Sequence, residues 1–241
     1  MANIPIGNSS YNGLQSKLIK RFSRGFSLLA GYTWSKTLEE VSFLNNQDFN
    51  MDDPDSSKLE RRLAQELDSA HRFTIANSWN MPFGKGERWL SDVPGWANQI
   101  VGGWQLNWYA EIMSGYAVDH PNGPKTTEES AALPEGERTI MRWFNNSIWK
   151  AQTPNTLRNF PTMFPDIRFP TRYDVNFSIF KNFGITEQVK AQYRCEMINA
   201  LNHPWFTGLS TTSATSSSLG QLNLTQRNLA RTIHMQLKIM F

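Results

Sequence analysis

The chain has 241 residues, enough for one large domain or two ordinary ones. Aromatics make up 12% of it and charged residues 19%, and no stretch approaches the roughly 20 apolar residues of a membrane helix, which excludes helical spans but not alternating strands. The net charge of +3 comes without a basic run, which speaks against a nucleic-acid partner, and the lone Cys195 is silent on compartment.

In chain order, the amino-terminal MANIPIGNSS lacks the charged start and apolar core of a secretion signal. Seven stretches then alternate with a period of two, most near the roughly 9–11 residues of a tilted membrane strand. LQSKLIKRF puts Leu14, Leu18 and Phe22 on one face, with Gln15, Lys17 and Arg21 opposite. FSLLAGYTWS aligns Phe26, Leu28, Ala30, Tyr32 and Trp34, and HRFTIANSWNMPF aligns Phe73, Ile75, Trp79 and Met81. WQLNWYAEIM sets Trp104, Leu106, Trp108, Ala110 and Ile112 against Gln105, Asn107 and Glu111. YDVNFSIFKNF and QVKAQYRCEM repeat the pattern through Val175, Phe177 and Ile179, then Val189, Ala191, Tyr193, Cys195 and Met197. TIHMQLKIMF closes the series with Ile233, Met235, Leu237, Ile239 and Phe241.

The links alternate in length. A tight Ser23-Arg24-Gly25 turn and the GITE segment are short, PFGKGE opens a medium link, and three links are long and polar: Thr37 to Ala70, Ala117 to about Thr171, and a Ser/Thr-rich third one. Brief turns on one side and long loops on the other are the pattern of an up-and-down transmembrane β-barrel, with turns periplasmic and loops extracellular. An odd strand number makes the first and last strands run the same way, so Phe241 lies at the periplasmic face. Rings near the strand ends suit the two membrane interfaces: Phe22, Phe26, Phe83, Phe183 and Phe241 below, Tyr32 and Trp34 above. A soluble antiparallel sandwich shows the same alternation with shorter strands, and is the competing fold.

Candidate sites lie in the loops. Asp48, Asn50 and Asp52 alternate like the start of a calcium loop, but Asp53 stands where such a loop needs Gly. Asp68, Ser69 and His71 are close in sequence; His71 opens a strand, which suits a rim residue rather than a catalytic one. Trp143, Phe144, Trp149 and Phe160, with Arg142, Lys150 and Arg158, make the second long loop aromatic and basic, either to grip a carbohydrate or peptide or to pack over the barrel mouth. TEESAALPEG within it predicts a short helix ending at Pro134 and Gly136. The third loop, from Ser210 to Ser218, predicts a flexible solvated surface. No cofactor motif is present and no enzymatic role is expected.

In order along the chain, SSYNGLQSKLIKRFSRGFSLLAGYTWSK, LDSAHRFTIANSWNMPFGKGERW, VGGWQLNWYAEIMSGY, YDVNFSIFKNFGITEQVKAQYRCEMINALNHPWF and ARTIHMQLKIMF resemble the carboxy-terminal barrel of the Oar-like TonB-dependent receptors. The resemblance implies a plugged barrel of about 22 strands that imports a bulky solute. It also implies that Phe241, Ile239, Leu237 and Met235 form the terminal signal read by the barrel-assembly machinery. Residues 1–241 then form the carboxy-terminal portion of such a barrel, without plug domain or signal peptide. The expected partners are outer-membrane lipid, an unknown solute, and the missing strands and plug or another copy of the chain. A soluble β-rich binding or adhesion module using the aromatic loops is the alternative function.

Overall fold

The computed structural model describes residues 7–40, 60–156, 158, 160–186 and 188–241. Strands β1 (Ser9–Ser23) and β2 (Phe26–Glu39) form a hairpin, and β3 (Arg62–Leu63) adds two residues to the outer end of β2. Next come β4 (His71–Asn80), a short helix α1 (Gly95–Val101) and β5 (Trp104–Met113). Two short strands, β6 (Ala117–Asp119) and β7 (Met163–Arg168), pair only with each other. The chain finishes with β8 (Arg172–Gly184), β9 (Lys190–Ile198) and β10 (Thr232–Met240).

The main sheet has eight strands, in the path β1-β2-β4-β5-β8-β9-β10 with β3 on β2. Every pairing along it is antiparallel. All seven period-two stretches of the sequence are strands of this path, because alternating side chains give each strand one apolar and one polar face. The first hairpin turns on Arg24 and Gly25, both with positive φ (52° and 77°), the backbone that a two-residue hairpin turn requires. β1 and β2 run further out than the sequence reading placed them, to Ser9 and Glu39, and pair to their outer ends.

Register makes the faces continuous. Trp34 lies beside His71, Tyr32 beside Phe73, and Ala30 beside Ile75. Ile75 lies beside Ala110, which meets Val175; Trp108 meets Phe177, which meets Met197, which meets Ile233. A single apolar surface therefore crosses the sheet from Leu18 to Leu237. A one-residue slip at any seam would break it. No second sheet covers this surface among the described residues, and Leu14, Leu18, Met235, Leu237 and Ile239 are all more than half exposed. A sandwich would press it against another sheet; this one faces outward.

The opposite surface is polar and bonded to itself. Arg72 pairs with Glu111 at 2.8 Å, Tyr109 donates to Glu111, Asn176 donates to Asp174, and Gln105 donates to Ser78. Arg194 spans Glu196 at 3.6 Å and the Phe180 ring at 4.6 Å. Such groups need water or one another, as on the inside of a wide barrel.

Rings and cations mark the two borders of the apolar band. At the turn end Lys20 sits 4.7 Å over Phe26, and Lys181 lies between Trp104 and Phe183 while donating to the Gly102 carbonyl. Lys20 is exposed and Lys181 is buried, and each ammonium lies against rings at the short-turn end of the sheet. At the loop end the Tyr32 hydroxyl meets His71 Nδ1 at 2.9 Å, with Trp34 beyond.

The sheet is not closed. Among the described residues, the outer edges of β1 and β10 pair with nothing. Bilayer hydrocarbon offers backbone groups no hydrogen bonds, at several kcal/mol for each one left bare. Two edges with on the order of ten bare groups between them would cost tens of kcal/mol, beyond the 5–15 kcal/mol of a folded domain.

Above the sheet the long loops fold into a cap with its own core. Phe144, Ile167, Leu219, Leu222 and Val118 are at most 2% exposed, packed with Phe164, Trp149 and Ala214. The third loop is thus not a flexible solvated surface. Ala214, Leu219 and Leu222 are core residues, and the loop's backbone is pinned where Trp143 N donates to Gly220 O and Leu222 N to Ile140 O. The expected helix over TEESAALPEG is also absent: Ala131 and Leu133 turn into the core along extended chain, and only Glu135–Glu137 forms a 3-10 turn. Core packing of those two apolar residues outweighs helix propensity there.

Candidate functional site

The cap is fixed to the sheet by a buried ion pair. Asp68, fully buried, accepts from Arg168 at 2.5 Å and from the Thr37 backbone N–H at 2.6 Å. Arg168 also donates to the carbonyls of Gly115 and Asp68. Gly115 is required by closeness: a Cβ there would lie 1.9 Å from the Phe169 carbonyl oxygen. Loop one, the exit of β5 and the cap hairpin are therefore joined at one point. Of the Asp68, Ser69 and His71 set, only Asp68 reaches a charged partner. The Ser69 hydroxyl bonds around Ser114, and the His71 ring pairs with Tyr32, so the three form a rim joint.

The residues singled out in the second loop separate. Phe144 is fully buried, in tilted contact with Phe164 at 5.2 Å and edge-on to Trp149 at 6.1 Å. Trp149 is 8% exposed and donates its indole N–H to Asn145 O. Trp143 packs against the same core and donates to Arg168 O. Arg142 alone stays at the surface, in a tight turn with Thr139. Phe144 and Trp149 thus play the packing role, and their rings are not presented to a ligand. The Asp48, Asn50 and Asp52 triplet lies outside the described residues.

All three long loops meet at a cleft of about 300 Å³, lined by Arg62 and Gln65 from the first, by His120, Arg158 and Phe160 among others from the second, and by Thr212 from the third. Buried pairs hold its walls. Glu60 binds Arg158 at 2.8 Å and accepts from both the N–H and the hydroxyl of Thr162. Arg62 pairs with Glu39 at 3.4 Å and donates to Thr162. Asn122 joins the second loop to the third, donating its N–H to Thr212 O and accepting from Ala214 N.

His120 forms the floor of the cleft. Its ring lies nearly parallel to Phe160 at 5.4 Å, tilted to Phe164 at 4.9 Å, and edge-on to Trp149 at 4.9 Å. Burial holds its pKa below the ordinary 6.5, outweighing the Pro121 carbonyl at Nδ1, which raises it. The arrangement is a neutral imidazole in an aromatic box beside two charge-matched guanidinium–carboxylate pairs, with amides and hydroxyls at the mouth. It can bind a polar solute by hydrogen bonds. Sequence reasoning singled out Arg158 and Phe160 within the aromatic, basic second loop but not the cleft itself, because its members come from three loops and share no spacing.

The closing strand is arranged as the alternation required. Met235, Leu237 and Ile239 share the apolar face, and Met240 pairs with Lys190, so Phe241 follows at the short-turn end, 98% exposed. The order of strands, the two-faced sheet and the interface rings are those of a barrel wall. No curated protein and no solved structure matches the chain significantly. A model of the outer membrane beta barrel domain family matches residues 2–234, and the chain belongs to that family, which places it in the outer membrane.

Proposed function

We propose that the sheet is a sector of the wall of a larger, plugged barrel that imports a bulky solute by TonB-dependent transport, as in the Oar-like receptors, and that the chain itself catalyses no reaction. The observation that carries this reading is a lipid-facing sheet with two bare edges. Further strands must cover those edges before the sheet is stable in a bilayer. A polar inner face suits a barrel too wide to be filled by its own side chains. The cap supports the solute role, since three loops converge on the His120 cleft at the extracellular end. In this reading the cleft touches the solute and the assembly machinery reads β10 through Phe241.

Uptake measured in the native host tests it. Deleting the chain should abolish accumulation of at least one bulky solute from a fluorescent peptide and oligosaccharide panel, and a protonophore should abolish the same uptake in intact cells. Thr212→Trp, which fills the cleft, should lower that uptake at unchanged surface level. Uptake that ignores the proton gradient contradicts energised transport.

A further inference from the structure

The link between β4 and β5 carries apolar side chains that neither the sheet nor the cap uses. On α1, Trp96 and Ile100 stand four residues apart on one side of the helix, 73% and 63% exposed. Trp89 and Leu90 in the same link are exposed as well, and so is Ile185 in the adjoining β8–β9 turn. A cluster of this kind marks a surface that something covers.

The link is fixed with these side chains turned out. The Asn98 carboxamide oxygen accepts from Lys85 N at 2.7 Å. Gly84 packs beside it at φ 117°, where a Cβ would lie 2.5 Å from Asn98 Oδ1. Gly84 N donates to Trp89 O and Trp89 N to Pro82 O, which closes the segment before the helix. Gln99 Nε2 donates to Gly184 O at 2.9 Å and ties α1 to the end of β8.

Two further bonds decide on which side of the wall the helix lies. Trp104 belongs to the outward face of β5, and its indole N–H donates to Ile100 O at 2.8 Å. Lys181, paired with Trp104 on the outward face of β8, lies 5.1 Å over that ring and donates to Gly102 O. The last turn of α1 therefore sits against the outward surface, at the short-turn border of the apolar band, and not beneath the lumen. β5 is the central strand of the path, so no strand added at either edge of the sheet reaches this patch. What is continuous with it is the bilayer surface, where tryptophan and aliphatic side chains find apolar cover beside water.

We infer that α1 and the residues leading into it form an interfacial foot that binds the phospholipid leaflet on the short-turn side, with Trp96 and Ile100 inserted among the head groups. The foot is an element outside the strands, distinct from the rings on the wall itself, and it depends on the outward face of the sheet and not on transport. Lys85 and Arg88 in the link are balanced by Glu87 and Asp92, so apolar insertion carries the binding and anionic lipid is not required.

Photo-crosslinking on the full chain in native outer membranes tests this. p-Benzoylphenylalanine replaces Trp96 or Ile100, one at a time; both are exposed, so the fold is kept. The exposed, polar Glu87 of the same link is the control position. After irradiation, mass spectrometry of the link peptide should show the added mass of a diacyl phospholipid at both Trp96 and Ile100, well above the level at Glu87. The zwitterionic and anionic lipids should appear in proportion to their share of the membrane. Adducts with a second protein or with another copy of the chain in place of lipid, no more lipid at Trp96 or at Ile100 than at Glu87, or adducts confined to anionic lipid would each overturn the inference.

Discussion

The sheet and the cap solve opposite problems with the same chain. In the sheet, apolar side chains point away from the protein, and Trp108 and Phe177 lie side by side on an outward surface. In the cap, apolar side chains point inward, and Phe144, Phe164 and Trp149 pack ring against ring in one buried core. One region takes bilayer as the solvent of its apolar face; the other takes water all round. Burial is therefore a poor guide to importance here, since the exposed Leu237 and the buried Leu219 each sit in the medium that suits them.

The largest expected effect falls at the joint between the regions. Arg168→Met leaves Asp68 buried without its partner, a loss of about 3–5 kcal/mol. Limited proteolysis of intact cells should then cleave the cap while the sheet remains membrane-protected. Similar in size, Phe144→Ala should cost the cap about 3–5 kcal/mol through the cavity it opens. The same protease assay reads it, and sheet unfolding in urea should not move.

A smaller and sharper contrast lies within β8. Phe177→Arg places a charge on the apolar face, at about 2–4 kcal/mol near the bilayer midplane. Ser178→Arg, one residue on, points to the polar face between Asn107 and Glu196 and should change stability by no more than about 0.5 kcal/mol. Urea midpoints of the assembled barrel in lipid vesicles distinguish the two; equal losses would contradict the assignment of faces.

The smallest effect is a pH dependence confined to the cap. Burial depresses the folded pKa of His120 below 6.5, so the unfolded cap binds the proton more readily. Its contribution is fully present above the unfolded value and is lost as pH falls toward the folded one. Protease susceptibility of the cap should rise on acidification below about 6.5 and flatten in His120→Phe, while the sheet shows no such change.

The two regions also differ in how far the sequence discloses them. The strands are legible because a surface between two solvents forces a strict period, and Val175, Phe177 and Ile179 announce it locally. The direction of β10 follows from parity and turn length alone. The cap has no period. Ala214 and Leu219 sit in a Ser/Thr-rich run that reads as solvated coil, and only contact with Phe144 and its neighbours makes them core. Trp143, Phe144 and Trp149 are visible as an aromatic cluster, but whether such rings pack or bind is decided by tertiary closure. The His120 cleft was illegible for the same reason: Arg62, His120 and Thr212 are neighbours only after folding.

Single-cysteine scanning of β8 from Asp174 to Phe180, in a Cys195→Ser background and in outer membranes, tests the account most directly. Val175, Phe177 and Ile179 should be quenched by a lipid-embedded quencher and refuse a water-soluble thiol reagent. Asp174, Asn176, Ser178 and Phe180 should escape the quencher, and the first three should react with the aqueous reagent. A profile without that two-residue alternation, or with its phase reversed, would contradict a sheet whose apolar face is turned to lipid.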